Sequence, residues 1–123
     1  LEDFIKIKQE NYKLYKEHIN RIPGLSLLEF RTGIRSNYWF YSLKYDNEYR
    51  LTRDEIIKHL LAKGIQTRPI WGLICEQKPY QNNQTYRIEK AKYYLEHIVN
   101  IPCSTNLTRD DVLYVIECLQ DAQ

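Results

Sequence analysis

Methionine is absent from the 123 residues, and with it any start residue. The amphipathic pattern of LEDFIKIKQE already runs at residue 1, with no cap before it, so we expect a piece of a longer chain entered partway along a helix. That opening is charged, unlike a signal peptide. No apolar run approaches the roughly 20 residues of a membrane-spanning helix. Cysteines are few and odd in number: Cys75, Cys103 and Cys118 stand far apart and make neither a disulfide framework nor a paired metal motif. They read as free, partly buried thiols of a reducing compartment, the cytoplasm. A basic block is missing too. The 18 Lys and Arg are mixed along the chain with 16 Asp and Glu, and a net charge of +2 does not point to nucleic acid. The sequons NQT at 83–85 and NLT at 106–108 lack a secretion signal to give them meaning.

What is present suits one domain with its own core: 43% of residues are apolar and 28% charged. Residues 1–20 read as a helix, with Phe4, Ile7, Tyr12, Tyr15 and Ile19 near one face. Pro23 and Gly24 stop it. LSLLEF at 25–30 has the look of a short strand, and RTGIRS that of a loop. NYWFYSLKYD, residues 37–46, is the strongest strand signal, with Trp39, Tyr41, Leu43 and Tyr45 on one face and Tyr38 and Phe40 on the other. Apolar residues on both faces predict a central strand covered on each side over its first half.

Helix-start chemistry then occurs twice. In LTRDEIIKHLLAKG, Thr52 and Glu55 have the spacing of a capping box, and Leu51 and Ile56 that of a hydrophobic staple. Ile56, Ile57, Leu60 and Leu61 form the expected buried stripe, and Gly64 stands where a left-handed cap belongs. In LTRDDVLYVIECLQ, Thr108, Asp111, Leu107 and Val112 repeat the pattern. Between them, IQTRPIW is extended. Pro69 removes a ladder donor, so its strand should end or lie at an edge near 67–69. Residues 72–85 read as a long loop with a helical turn. Residues 86–98 read as a helix with Ile88, Ala91, Tyr94, Leu95 and Ile98 inward, and NIPCSTNL as an extended connector. The order helix, two strands, helix, strand, loop, helix, helix predicts an α+β domain, a small antiparallel or mixed sheet covered by helices. His18, His59 and His97 sit among charges without metal-ligand spacing and read as solvated.

Together, PGLSLL, RSNYWFYSLKYD, LTRDEIIKHLLAKGIQTRPIW, QKPY and IPCSTNLTRDDVLYVIECL resemble the C-terminal domain of the DegT/DnrJ/StrS-type sugar aminotransferases. These are pyridoxal-phosphate enzymes of the aspartate-aminotransferase fold (PLP fold type I). The likeness covers nearly the whole chain, and GIQTRPIW and SNYW are its most specific parts. It implies that residues 1–123 are a C-terminal small domain, with the large coenzyme-binding domain upstream and absent from this sequence. The intact protein would be a homodimer. It would move an amino group, typically from glutamate, to a keto carbon of a nucleotide-linked sugar, for surface polysaccharides and glycoconjugates. No catalytic residue is expected in this chain, which alone would be inactive. One departure stands out: where members often carry a histidine in PLH, this chain has LIC, with Cys75 at the histidine position. Gly72 and Lys78 are also unusual there.

A domain closing over an anionic sugar nucleotide needs a cation, flat aromatic surface and hydrogen-bonding side chains. Arg68, Trp71, Asn37 and Tyr80 are those residue types. Arg68 offers a planar fork to a phosphate or carboxylate. The plainer readings are a surface charge for Arg68, a core or interface position for Trp71, and a turn residue for Asn37. Cys75 as a nucleophile has no group placed to activate it. The competing class is a non-catalytic module, for dimerisation or for stacking single-stranded nucleic acid on the NYWFY aromatics. The absence of a basic stripe speaks against nucleic acid.

Overall fold

The computed structural model describes residues 1–122. The elements run α1 (Glu2–Ile19), β1 (Leu25–Leu27), β2 (Tyr41–Tyr45), α2 (Arg53–Ala62), β3 (Arg68–Pro69), α3 (Glu89–His97), β4 (Ile98–Ile101) and α4 (Arg109–Gln120). Two short 3-10 turns, Ile74–Glu76 and Lys78–Tyr80, interrupt the long loop. Among the described residues the four strands form one sheet in the order β1-β2-β4-β3, every pair antiparallel. The expected α+β class holds, and the sheet is antiparallel rather than mixed.

Alternation along the strands sorts the two faces of the sheet. Leu25, Leu27, Tyr41, Leu43, Val99 and Ile101 enter the core, where they meet Tyr15 and Ile19 of α1, Ile56 and Leu60 of α2, and Val112, Ile116 and Leu119 of α4. The tyrosines of α1 and β2 pack edge-on: Tyr15 lies 5.7 Å and Tyr12 5.8 Å from Tyr41, ring centre to ring centre. Phe30 and Tyr38 extend this cluster 4.5 Å apart, with Tyr38 in left-handed backbone at φ 53°. The opposite face carries Ser26, Ser42, Lys44, Asn100 and Arg68 by register.

Both predicted helix starts are built as expected. The Glu55 carboxylate accepts from the Thr52 N–H at 2.8 Å, and Asp111 does the same for Thr108 at 2.8 Å. These bonds, first to the Thr52 backbone and Thr108 hydroxyl respectively, hold both carboxyls below their ordinary range. Gly64 ends α2 at φ 78°, with Ile65 N–H on the Leu60 carbonyl at 2.9 Å and Gly64 N–H on that of Leu61 at 3.0 Å. That is the paired arrangement of a Schellman cap. β3 is an edge strand at Pro69, as the missing donor requires.

Several expectations are corrected. The first strand stops at Leu27, and β2 starts only at Tyr41, so Trp39 is 62% exposed rather than on a strand face. Phe4 and Leu61 are exposed, on sides of α1 and α2 turned away from the core. α3 ends at His97, buries none of its residues and leaves Tyr94 exposed. Ile98 therefore belongs to β4, a central strand where a connector was expected. His97 is not simply solvated: its ring stacks 4.1 Å from Tyr93 and 5.2 Å from Tyr45. His59 reaches the Cys118 carbonyl at 2.9 Å.

The buried tyrosines give the fold an alkaline limit. Burial pushes the Tyr49 hydroxyl, which donates to the Leu119 carbonyl at 2.7 Å, up to about 12. Burial also raises Tyr15 and Tyr41. Folded values above the ordinary 10.0 mean that this stability is complete below pH 10 and is lost as pH rises through the folded values. The urea midpoint should therefore hold to about pH 10 and fall above it. In Tyr49→Phe the unfolding free energy should start about 1 kcal/mol lower, with the Leu119 carbonyl unpaired, and the midpoint should fall less steeply with pH. An unchanged slope would show that Tyr49 is not a source of the alkaline loss.

Candidate functional site

The outer face of the sheet holds a polar row. Ser42 and Asn100 are register partners, and so are Asn100 and Arg68, so one line crosses β2, β4 and β3. The Ser42 hydroxyl donates to Asn100 Oδ1 at 3.0 Å, which fixes the amide beside Arg68. Phe40 lies just outside β2, two residues before Ser42, and stacks on Trp39 at 5.3 Å with an 11° tilt.

Two cavities meet at this row. One, of about 550 Å³, is lined by Phe40, Arg68, Pro69, Ile70, Trp71 and Asn100. A smaller one, of about 150 Å³, shares Phe40, Arg68 and Asn100 and is closed by Gln66, Pro102 and Cys103. Arg68 itself is exposed. Arg21, Arg35 and Arg53 pair with Glu17, Glu2 and Asp54, whereas among the described residues no carboxylate pairs with Arg68. Among the described residues Arg31, Arg50, Arg87 and Arg109 also have no carboxylate partner. Arg68 differs in lining two cavities that share Phe40, the larger of which Trp71 also lines. Chemically, the arrangement offers a charged fork, a fixed amide and flat apolar walls, which suits an anion attached to a ring.

The four residues singled out from the sequence do not all meet. Arg68 and Trp71, the latter 76% exposed, line the same cavity. Tyr80 lines a different one, of about 540 Å³, with Cys75, Ile88 and Ala91. Asn37 is in a turn, where its Oδ1 accepts from the Trp39 N–H at 3.1 Å. Sequence reasoning missed Phe40, Ser42 and Asn100. A signal existed for Asn100: it is the polar member of the apolar stretch IVNI, but it has meaning only if that stretch is a strand.

A model of the DegT/DnrJ/EryC1/StrS aminotransferase family matches residues 1–120. The chain belongs to that family. GDP-perosamine synthase of Caulobacter vibrioides is 31% identical over 85 residues, which are 69% of this chain and 23% of the relative. GDP-perosamine synthase of Escherichia coli O157:H7 is 25% identical over 121 residues, 98% of this chain and 32% of the relative. Among solved structures, the aminotransferase TlmJ from Streptoalloteichus hindustanus superposes with a TM-score of 0.83 at 20% identity, over 96% of this chain and 31% of that one. DesI, determined in the presence of its TDP-sugar product, superposes with a TM-score of 0.84 at 21% identity, over 94% and 30%. This family chain thus spans a third or less of the length of the curated relatives it matches. The shared fold is that of one part of the PLP fold type I aminotransferases.

DegT-family aminotransferases depend on pyridoxal phosphate. The residues at Arg68 do not fit that coenzyme by themselves. A site for it needs an amine to hold its aldehyde carbon and an acid for its ring nitrogen. Neither cavity at Arg68 is lined by a lysine or a carboxylate. Family membership also weighs against a stand-alone nucleic-acid or dimerisation module.

Proposed function

We propose that this chain is the C-terminal small domain of a longer aminotransferase that passes an amino group, typically from glutamate, to a keto carbon of a nucleotide-linked sugar. Support comes from the family match, from relatives described as GDP-perosamine synthases, and from the Arg68 row. The observation that carries the reading is the Arg68 guanidinium, with no described carboxylate partner, lining two cavities that share Phe40, the larger of them also walled by Trp71. In this reading Arg68 holds a phosphate or carboxylate, Asn100 bonds a neighbouring oxygen, and Trp71 and Phe40 present flat surface to the rest of the ligand. Asn37 and Tyr80 stand away from the row and would contribute only where a second surface brings the ligand across to them. Coenzyme chemistry belongs to a larger domain in the longer protein, and this chain's share is binding, orientation and exclusion of water. Cys75 lines the cavity that Tyr80 also lines, and in this reading it packs there without a direct polar role. The intact protein would act as a cytoplasmic homodimer, feeding amino sugars into surface polysaccharides and glycoconjugates.

The test compares two proteins. The full-length protein should bind pyridoxal phosphate, show its visible absorption and aminate a nucleotide keto-sugar with glutamate. Residues 1–123 alone should do none of these. A full-length protein that is colourless and indifferent to the coenzyme would defeat the proposal.

A further inference from the structure

Lys8, half-buried one turn before Tyr12 on the core-facing stripe of α1, is tied into the wall of the Arg68 site. Its ammonium donates to the Cys103 carbonyl at 2.6 Å and to the Trp39 carbonyl at 3.1 Å. These carbonyls belong to two separate segments, one entering β2 and the other leaving β4. The Cys103 thiol donates to the same Trp39 carbonyl at 3.0 Å, which closes the link between the segments. The other end of Lys8 is held as well: its own carbonyl accepts from the Tyr41 hydroxyl at 2.6 Å, and the ammonium lies 5.8 Å from the Tyr41 ring centre.

The consequence reaches the small cavity. Trp39 immediately precedes Phe40 and stacks on it, and both Phe40 and Cys103 line the cavity beside Arg68. Lys8 does not line it. We propose that Lys8 is a positioning residue that sets the width of the Arg68 site by clamping the Trp39 and Cys103 carbonyls, an inference that rests on the substrate-site reading above. A charged donor suits this role, because its bonds to carbonyls are roughly twice as strong as neutral ones. A neutral side chain of similar length fills the space but leaves the two segments joined there by the weaker thiol bond alone. The cavity then loses its fit to a ring, while Arg68 and Asn100 stay on their strands.

The experiment uses the full-length protein with its coenzyme, with Arg68→Ala assayed alongside. Lys8→Met should raise the KM for the nucleotide sugar about fivefold and leave kcat within about twofold and the KM for the amino donor unchanged. Lys8→Arg should bring the KM back to within about twofold of wild type. Alkylation of Cys103 by iodoacetamide, followed by peptide mass, should be faster in Lys8→Met than in wild type. If Lys8→Met does not fold, Lys8→Gln carries the same test, because its amide bonds one carbonyl at a time. An unchanged KM with an unchanged Cys103 rate overturns the proposal, and so does a lowered melting temperature with a fall in kcat and a parallel rise in both KM values. If Arg68→Ala leaves the KM unchanged, the substrate-site reading fails, and the role of Lys8 in that site fails with it. If Arg68→Ala raises the KM and Lys8→Met does not, the Lys8 proposal alone falls.

Discussion

If Arg68 holds the ligand anion as proposed, replacing it with alanine in the full-length protein should raise the KM for the nucleotide sugar more than about tenfold, a loss of about 1.4 kcal/mol or more. The expectation rests on where the guanidinium stands. It emerges from an edge strand whose Pro69 stiffens the backbone, opposite Asn100, and no described carboxylate pairs with it. A ligand anion therefore meets a free fork and displaces no internal salt bridge. The substitution removes two directed bonds and leaves the ligand charge facing Phe40 and Trp71. Arg68→Lys keeps the charge but loses the planar fork, so its KM should fall between wild type and alanine. The donor assay says which anion is held. If the KM for glutamate rises and that for the sugar does not, Arg68 serves the donor carboxylate. If neither moves, Arg68 is a surface charge and the site lies elsewhere.

Gly24→Ala should destabilise the fold by about 2–5 kcal/mol, combining a left-handed backbone with overpacking. Gly24 has φ 76°, and an added Cβ would sit 2.2 Å from the Tyr49 nitrogen and 2.8 Å from the Glu48 carbonyl carbon. Both clashes are with backbone, so no side chain can swing aside. The same turn carries the Asp46 N–H on the Gly24 carbonyl at 2.9 Å, and any shift there disturbs the end of the β1-β2 pair. Gly64 is the control. It has φ 78°, but nothing lies within 4 Å of an added Cβ. Gly64→Ala should thus cost only the backbone term, about 1–2 kcal/mol. Urea unfolding of the two variants side by side checks the ranking. Equal losses would show that the contact with Tyr49 has no cost of its own.

The parts of this fold legible in the sequence are those governed by neighbours along the chain. Thr52 with Glu55 and Thr108 with Asp111 announce their helices because a cap needs only residues three apart. Gly64 marks the end of α2 because only glycine enters left-handed backbone freely. Pro69 marks a sheet edge because it has no N–H. The family likeness in GIQTRPIW and SNYW is likewise legible along the chain alone.

Other features depend on which strands pair. IVNI follows α3 without a break, and four apolar-rich residues after a helix have no period to separate them from its last turn. Only pairing with β2 and β3 makes them a central strand. Residues 42, 68 and 100 are remote in sequence, and the register of three strands alone brings Ser42, Arg68 and Asn100 into one row. Tyr94 and Trp71 are large and aromatic in any reading, but their exposure depends on which surfaces the rest of the domain covers. The sequence by itself determined the helices, their caps and the family, because short-range hydrogen bonding and steric rules act within a few residues. Tertiary structure alone decided the row of Ser42, Asn100 and Arg68, because only long-range strand pairing brings those three side by side.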